Sequence, residues 1–155
     1  MRDWPALAEP GDGETAVLFD MDQTAATYAV ADALARTFRR LVLLTPRTQL
    51  ARNVNFCSAI GVHRRLHEAN VEIIMAAEPV MLRDGVLVWR NVFTGRTQEV
   101  RDVALFLWST PRIADDGIAS PLRDAGEPDL EAGDCMAPRD LFCAIHEGEA
   151  AGLAV

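Results

Sequence analysis

Short apolar runs alternate with stretches of helical spacing along most of this chain. Ala16-Val17-Leu18-Phe19-Asp20 is an uninterrupted apolar run ending in an acid, the pattern of a strand buried on both faces. From Ala25 to Arg39 the apolar positions Tyr28, Ala31, Leu34, Ala35 and Phe38 recur at three and four residues, which predicts a helix. Leu41-Val42-Leu43-Leu44-Thr45 repeats the buried-strand pattern, so the first thirty or so residues after the N-terminal segment read as a βαβ unit. A second helix is predicted over Ser58 to Ala69, with Ile60, Val62 and Leu66 inward, and Val71 to Ile74 follows as a third strand.

The pattern then changes. Val80 to Leu82, Val86 to Val92 and Glu99 to Val100 are separated by Asp84-Gly85 and by Thr94-Gly95-Arg96, which predicts an antiparallel meander with hairpin turns at both glycines. Val103 to Trp108 is again continuous and apolar and is expected as a buried parallel strand. Pro, Gly and Asp punctuate residues 111 to 128, which predicts loop. Leu130 to Asp134 reads as a short strand and turn, and Arg139 to Ala154 as a closing helix with Leu141, Phe142, Ile145 and Ala150 on its apolar face. The fold class is therefore α/β: a Rossmann-like open parallel sheet interrupted by a three-stranded antiparallel meander. The expected organisation is an arm over residues 1–14, a nucleotide-binding-type module over 15–128 and a closing strand and helix over 129–155.

Composition narrows the function classes. The 155 residues are half apolar, enough for one compact core. The formal charge of -8 excludes a nucleic-acid partner, since phosphate neutralisation needs a basic surface. Every basic residue other than histidine is an arginine. The three cysteines, Cys57, Cys135 and Cys143, form no CxxC pair, so neither a disulfide framework nor a zinc ribbon is indicated and a reducing cytoplasm fits best. The N-terminal residues hold no apolar signal region, and no apolar run approaches the roughly 18 residues of a membrane span, so no membrane association is expected. His63 and His67 lie one helical turn apart but with Arg64 and Arg65 between them, and read as surface residues rather than metal ligands. Trp89 and Trp108 fall on predicted strands as core or interface groups, whereas Trp4 in the arm is available to anchor a partner.

The segment Ala132-Gly133-Asp134-Cys135-Met136-Ala137-Pro138-Arg139, followed by Ala144-Ile145-His146-Glu147-Gly148-Glu149-Ala150-Ala151, resembles the closing flavin-site motif of the trimethylamine dehydrogenase and 2,4-dienoyl-CoA reductase family. Other stretches resemble that family in the same order: Val17 to Asp20, Leu43 to Pro46, His63 to Glu68 before Val71-Glu72-Ile73, and Val92 to Arg96. The resemblance implies that Gly133 and Asp134 meet a ribityl or ribose hydroxyl. It also implies that a helix starting over Ala137, Pro138 and Arg139 points its amides at the pyrophosphate of FAD or ADP.

In such enzymes the segment belongs to a larger polypeptide with an FMN barrel and an iron–sulfur cluster. The expectation is thus a small accessory subunit. Larger flavin-containing subunits would carry the FMN and the cluster, share the FAD or ADP pocket and oxidise a substrate such as an N-methylated amine, in a dehydrogenase or demethylase reaction. NAD(P) is not expected on the module itself, because the turn Asp20-Met21-Asp22-Gln23-Thr24 has no glycine and sets two carboxylates where a diphosphate would lie. Thr45 replaces the acid that would hold an adenine ribose, and Arg47 reads as a surface charge. Two rival readings are an NAD(P)H-binding electron-input subunit and a structural or regulatory protein with an empty pocket. No residue is assigned a catalytic role.

Overall fold

A computed structural model describes residues 14–126 and 130–154. The expected arm, with Trp4, lies outside the described residues but for Glu14. The chain forms two compact units that divide after Thr110.

In the first unit the strands β1 (Thr15–Asp20), β2 (Arg40–Leu44), β3 (Glu72–Ile74) and β7 (Val103–Ser109) form a four-stranded sheet in the order β3-β2-β1-β7. All of its pairings are parallel. The strands β4 (Ala77–Arg83), β5 (Val86–Asn91) and β6 (Thr97–Val100) form the antiparallel meander. The helices α1 (Ala25–Thr37) and α2 (Phe56–Glu68) complete the unit.

The strict alternation of a strand sorts its side chains between two cores. Ala16, Leu18, Leu41 and Leu43 face Tyr28, Ala31 and Leu34 of α1 and Val62 and Leu66 of α2. Val17, Phe19, Val42 and Leu44 face Ala77, Leu87, Trp89 and Val100 of the meander. With both faces covered, β1 and β2 must be apolar throughout, which is why they read as runs rather than as alternation. The meander turns where the glycines stand: Asp84 and Gly85 both have positive φ, as a two-residue hairpin of the primed type requires.

β7 is parallel as expected, but among the described residues only its edge toward β1 is paired, and its side chains are partly exposed, with Trp108 65% exposed. Its Phe106 packs on the meander core and its ring lies 5.9 Å from that of Trp108.

The second unit differs from expectation in three places. A short helix α3 (Ala119–Asp124) occupies part of the predicted loop. Pro121 sits in its first turn, where the missing N–H is tolerated. The predicted strand at Leu130 to Asp134 is absent; Ala132 is extended, and Gly133–Cys135 forms a single 3-10 turn. Leu130 and the small Ala132 give this stretch little apolar surface to bury, and no strand among the described residues pairs with it. The closing helix α4 spans Leu141–Ala154, so Ala137, Pro138 and Arg139 precede it rather than begin it. Asp140 sets this start, its Oδ1 accepting the Cys143 amide at 2.8 Å. That hydrogen bond holds the Asp140 carboxyl below its ordinary range.

Candidate functional site

In open α/β sheets ligands sit beyond the carboxyl ends of the strands, where the order of connections reverses. Here β1 is followed by β2 and β3 through α1 and α2 on one face, whereas β7 is reached through the meander on the other. The switch point therefore lies between β1 and β7, at Asp20 and Ser109. Two hydrogen bonds close it. The Met21 amide donates to the Ser109 carbonyl at 2.9 Å, and the Thr27 and Ser109 hydroxyls share a bond of 2.7 Å.

A buried polar network continues across the crest toward β2. Asp20 is fully buried, with Oδ1 accepting the Gln23 amide at 2.7 Å and Oδ2 accepting the Tyr28 hydroxyl at 2.9 Å. The Tyr28 oxygen in turn accepts the Ala51 amide at 2.6 Å. The carboxamide of Gln23 donates to the Gln49 carbonyl at 2.6 Å and to Thr45 Oγ1 at 3.3 Å, while its oxygen accepts the Arg52 amide. Asn53 adds two bonds, from its amide to the Gln23 carbonyl and from Nδ2 to the Asp22 carbonyl.

The loop after β2 is thus tied down over the ends of β1 and β2 by the turn that follows β1. Gln23 and Ala51, on opposite sides of the tie, both hold left-handed φ, near 57° and 58°. Non-glycine residues adopt that conformation at a cost of about 1–2 kcal/mol each, which the network must offset. Burial pushes the Asp20 carboxyl above its ordinary range, opposed by the hydrogen bonds from Gln23 and Tyr28.

Only one of the two carboxylates expected to oppose a diphosphate stands there. Asp20 is turned inward onto Tyr28, whereas Asp22 is partly exposed beside the first turn of α1 and accepts the Thr24 hydroxyl at 2.6 Å. Gln23 and Tyr28, which complete the seal, carry no signal as a pair in the sequence. Thr45 is buried and bonded to Gln23 and to the Arg47 amide, and Arg47 is exposed.

In the second unit Gly133, Asp134, Ala137, Pro138 and Arg139 fall on one loop ahead of α4. Gly133 has a φ of +72°, and a Cβ there would meet that of Ala144 at 3.6 Å, so the loop lies close against α4. The Gly133 carbonyl accepts the Met136 and Ala137 amides, which closes the turn. The Gly133 amide is not free: it donates to Glu147 Oε2 of α4 at 2.8 Å. The other oxygen of Glu147 pairs with the Arg139 guanidinium. Arg112 donates to the Arg139 carbonyl and stands 3.9 Å from the Asp134 carboxylate. Asp134 itself is exposed. Pro138 is partly buried beside the exposed Arg139. Glu147 and Arg112 organise the loop, yet the sequence offers for them only a spacing of 14 residues and a charge in a proline-flanked segment.

No described residue of the second unit is buried, and Leu141, Phe142 and Ile145 form an exposed stripe one turn apart on α4. Among the described residues no group of His, Cys, Asp and Glu has the arrangement of a metal site. His67 is exposed and His63 partly buried. The cysteines are free, Cys57 exposed and Cys135 and Cys143 partly buried. No described helix is long and apolar enough to cross a membrane.

No family model matches the sequence, and no curated protein matches it. Solved structures do match in fold. The 6-hydroxypseudooxynicotine amine oxidase from Pseudomonas geniculata N1 aligns over 92% of this chain with a TM-score of 0.75 and 23% identity. The histamine dehydrogenase from Rhizobium sp. 4-9 aligns over 90% with a TM-score of 0.70 and 22% identity. A 2-naphthoyl-CoA reductase aligns over 95% with a TM-score of 0.73 and 19% identity. This chain spans 23%, 22% and 22% of the histamine dehydrogenase, the amine oxidase and the reductase respectively. At such identities the likeness establishes the fold alone: an α/β fold of the flavoprotein type, with a parallel four-stranded sheet and an antiparallel meander.

Proposed function

We propose that this chain is an accessory subunit of a multi-subunit flavin-dependent oxidoreductase that acts on an N-methylated amine. Its Gly133–Arg139 loop and α4 would complete an FAD or ADP pocket shared with a larger partner chain. FMN and an iron–sulfur cluster would reside in the partner, and the assembly would work in the cytoplasm. The observation that carries the reading is the second unit. It presents a preformed glycine-aspartate turn with an exposed Asp134 beside an uncovered apolar stripe on α4, and so offers ligand chemistry and a reason to dock at one place. The amine-acting enzymes among the fold neighbours support the substrate class.

The sealed crest of the first unit supports leaving NAD(P) out of the scheme. A dinucleotide would have to displace the Gln23 and Tyr28 hydrogen bonds and approach Asp22. The same seal favours a second reading, a purely structural subunit, over an NAD(P)H-binding electron-input subunit.

The test is purification of the tagged chain from its native host, identification of co-purifying chains and a visible spectrum of the complex. A larger chain in fixed ratio, with flavin absorbance and FAD or ADP released on denaturation, supports the proposal. A fixed-ratio complex without nucleotide favours the structural reading. A colourless chain returning alone overturns both.

A further inference from the structure

The Gly133–Arg139 loop is fastened to α4 through one side chain. Glu147 has two carboxylate oxygens and two partners: Oε2 accepts the Gly133 amide at 2.8 Å and Oε1 pairs with Arg139. These partners stand at the two ends of the segment that carries Asp134. The Glu147 side chain is 18% exposed, so its charge-assisted bonds are less screened than those of a surface pair.

Gly133 gives its N–H to one oxygen of Glu147 and Arg139 sets its guanidinium against the other, so both brace the loop. The Asp134 side chain is 66% exposed, with the Arg112 guanidinium 3.9 Å away. The carboxylate of Asp140, the residue after the loop, accepts the Cys143 amide.

We infer that Glu147 is the positioning residue of this loop: by holding both of its ends to α4 it presents Asp134 outward for a ribose or ribityl hydroxyl. The inference rests on the nucleotide reading above and adds a residue and a mechanism to it. Glu147 touches no ligand; it acts through Gly133 and Arg139.

The test uses the complex purified with the full-length chain, stripped of nucleotide and titrated with ADP, alongside hydrogen exchange over residues 130–140. Glu147→Leu removes both bonds. Glu147→Gln keeps an acceptor for the Gly133 amide but loses the charge facing Arg139. The expected result is faster exchange of the Gly133 amide in the leucine variant, with its protection largely restored by glutamine. ADP affinity should fall on the order of tenfold in the leucine variant, the loss that one hydrogen bond to a charged group carries, and less with glutamine. The melting temperature of the nucleotide-free complex should move little, which separates positioning from global stability.

Wild-type ADP affinity in Glu147→Leu overturns the inference while the nucleotide reading stands. Unchanged Gly133 exchange overturns it as well. Failure of the wild-type complex to retain or bind FAD or ADP overturns the nucleotide reading, and this role falls with it.

Discussion

Tyr28→Phe is the sharpest probe of the sealed crest, because it keeps the ring and removes one oxygen. That oxygen has two jobs, donating to Asp20 at 2.9 Å and accepting from the Ala51 amide at 2.6 Å. Phenylalanine leaves the Ala51 N–H without an acceptor in a residue only 4% exposed, and leaves Asp20 Oδ2 without its donor. An orphaned buried donor costs about 1–3 kcal/mol and a lost bond to a charged acceptor about 1.5–3 kcal/mol. The sum, near 3 kcal/mol or somewhat above, translates into a fall in melting temperature of roughly 6–12 °C for a chain of this size.

The loss should also depend on pH. The folded Asp20 carboxyl lies above its ordinary value of 3.8, chiefly through burial. A raised carboxyl is most favourable to folding when protonated, below 3.8, and that contribution is lost as pH rises through the folded value. Removing the Tyr28 donor withdraws support from the ionised form and raises the group further, so acidification helps the variant more than the wild type. Thermal melts followed by circular dichroism, at neutral and at mildly acidic pH, should show the gap narrowing with acid. Thr37→Val, which removes an exposed hydroxyl bonded only to the Ala33 carbonyl, is the control and should change stability by no more than about 0.5 kcal/mol. A Tyr28→Phe melt within a degree or two of wild type at neutral pH would refute the claim that this network holds the loop.

Asp20→Asn removes the titration, so wild-type stability measured relative to that variant should rise as pH falls from neutral toward 3.8 and then level off; a decline in urea melts over that range contradicts the burial argument. Leu87→Ala, at a 1% exposed position between the meander and the sheet, should cost about 2–5 kcal/mol in denaturant unfolding, and a cost under 1 would mean that the meander is not part of that core. Gly85→Ala, at a φ of +72° with no backbone closer than 3.7 Å to the added Cβ, should cost about 1–2 kcal/mol from conformation alone, and an unchanged melting temperature would place the hairpin turn in a different geometry.

The sheet was legible because its chemistry is local. Strands covered on both faces have to be apolar without a break, and β1 and β2 announce themselves by such runs; β7 carries the same kind of run although it lies partly exposed. The meander was legible from Asp84-Gly85 and Thr94-Gly95, whose backbones need glycine at positive φ. What stayed hidden depends on distance along the chain. Asp20 and Tyr28 are 8 residues apart and Tyr28 and Ala51 are 23 apart, and no periodicity relates them. The short helix Ala119–Asp124 is less than two turns long and contains a proline, so it leaves no pattern to count. The strand expected at Leu130 failed for the opposite reason: a sequence can have the composition of a strand, but a strand exists only against a neighbour.

The two units show opposite solutions to the same polar problem. In the first, the backbone amides of Gln23, Ala51 and Arg52 donate to Asp20, to the Tyr28 hydroxyl and to the Gln23 carboxamide oxygen respectively, and among the described residues no buried side-chain polar atom is left without a partner. A ligand at this crest would have to replace good hydrogen bonds with equivalent ones and bring its own desolvation cost. In the second, internal bonds are spent on shape, through Glu147, Gly133 and Arg139, while Asp134 remains exposed and the apolar stripe of α4 is uncovered. Binding free energy is gained where groups are ordered but unsatisfied, and it is on this ground that the proposal above assigns recognition to residues 130–154 and support to the parallel sheet.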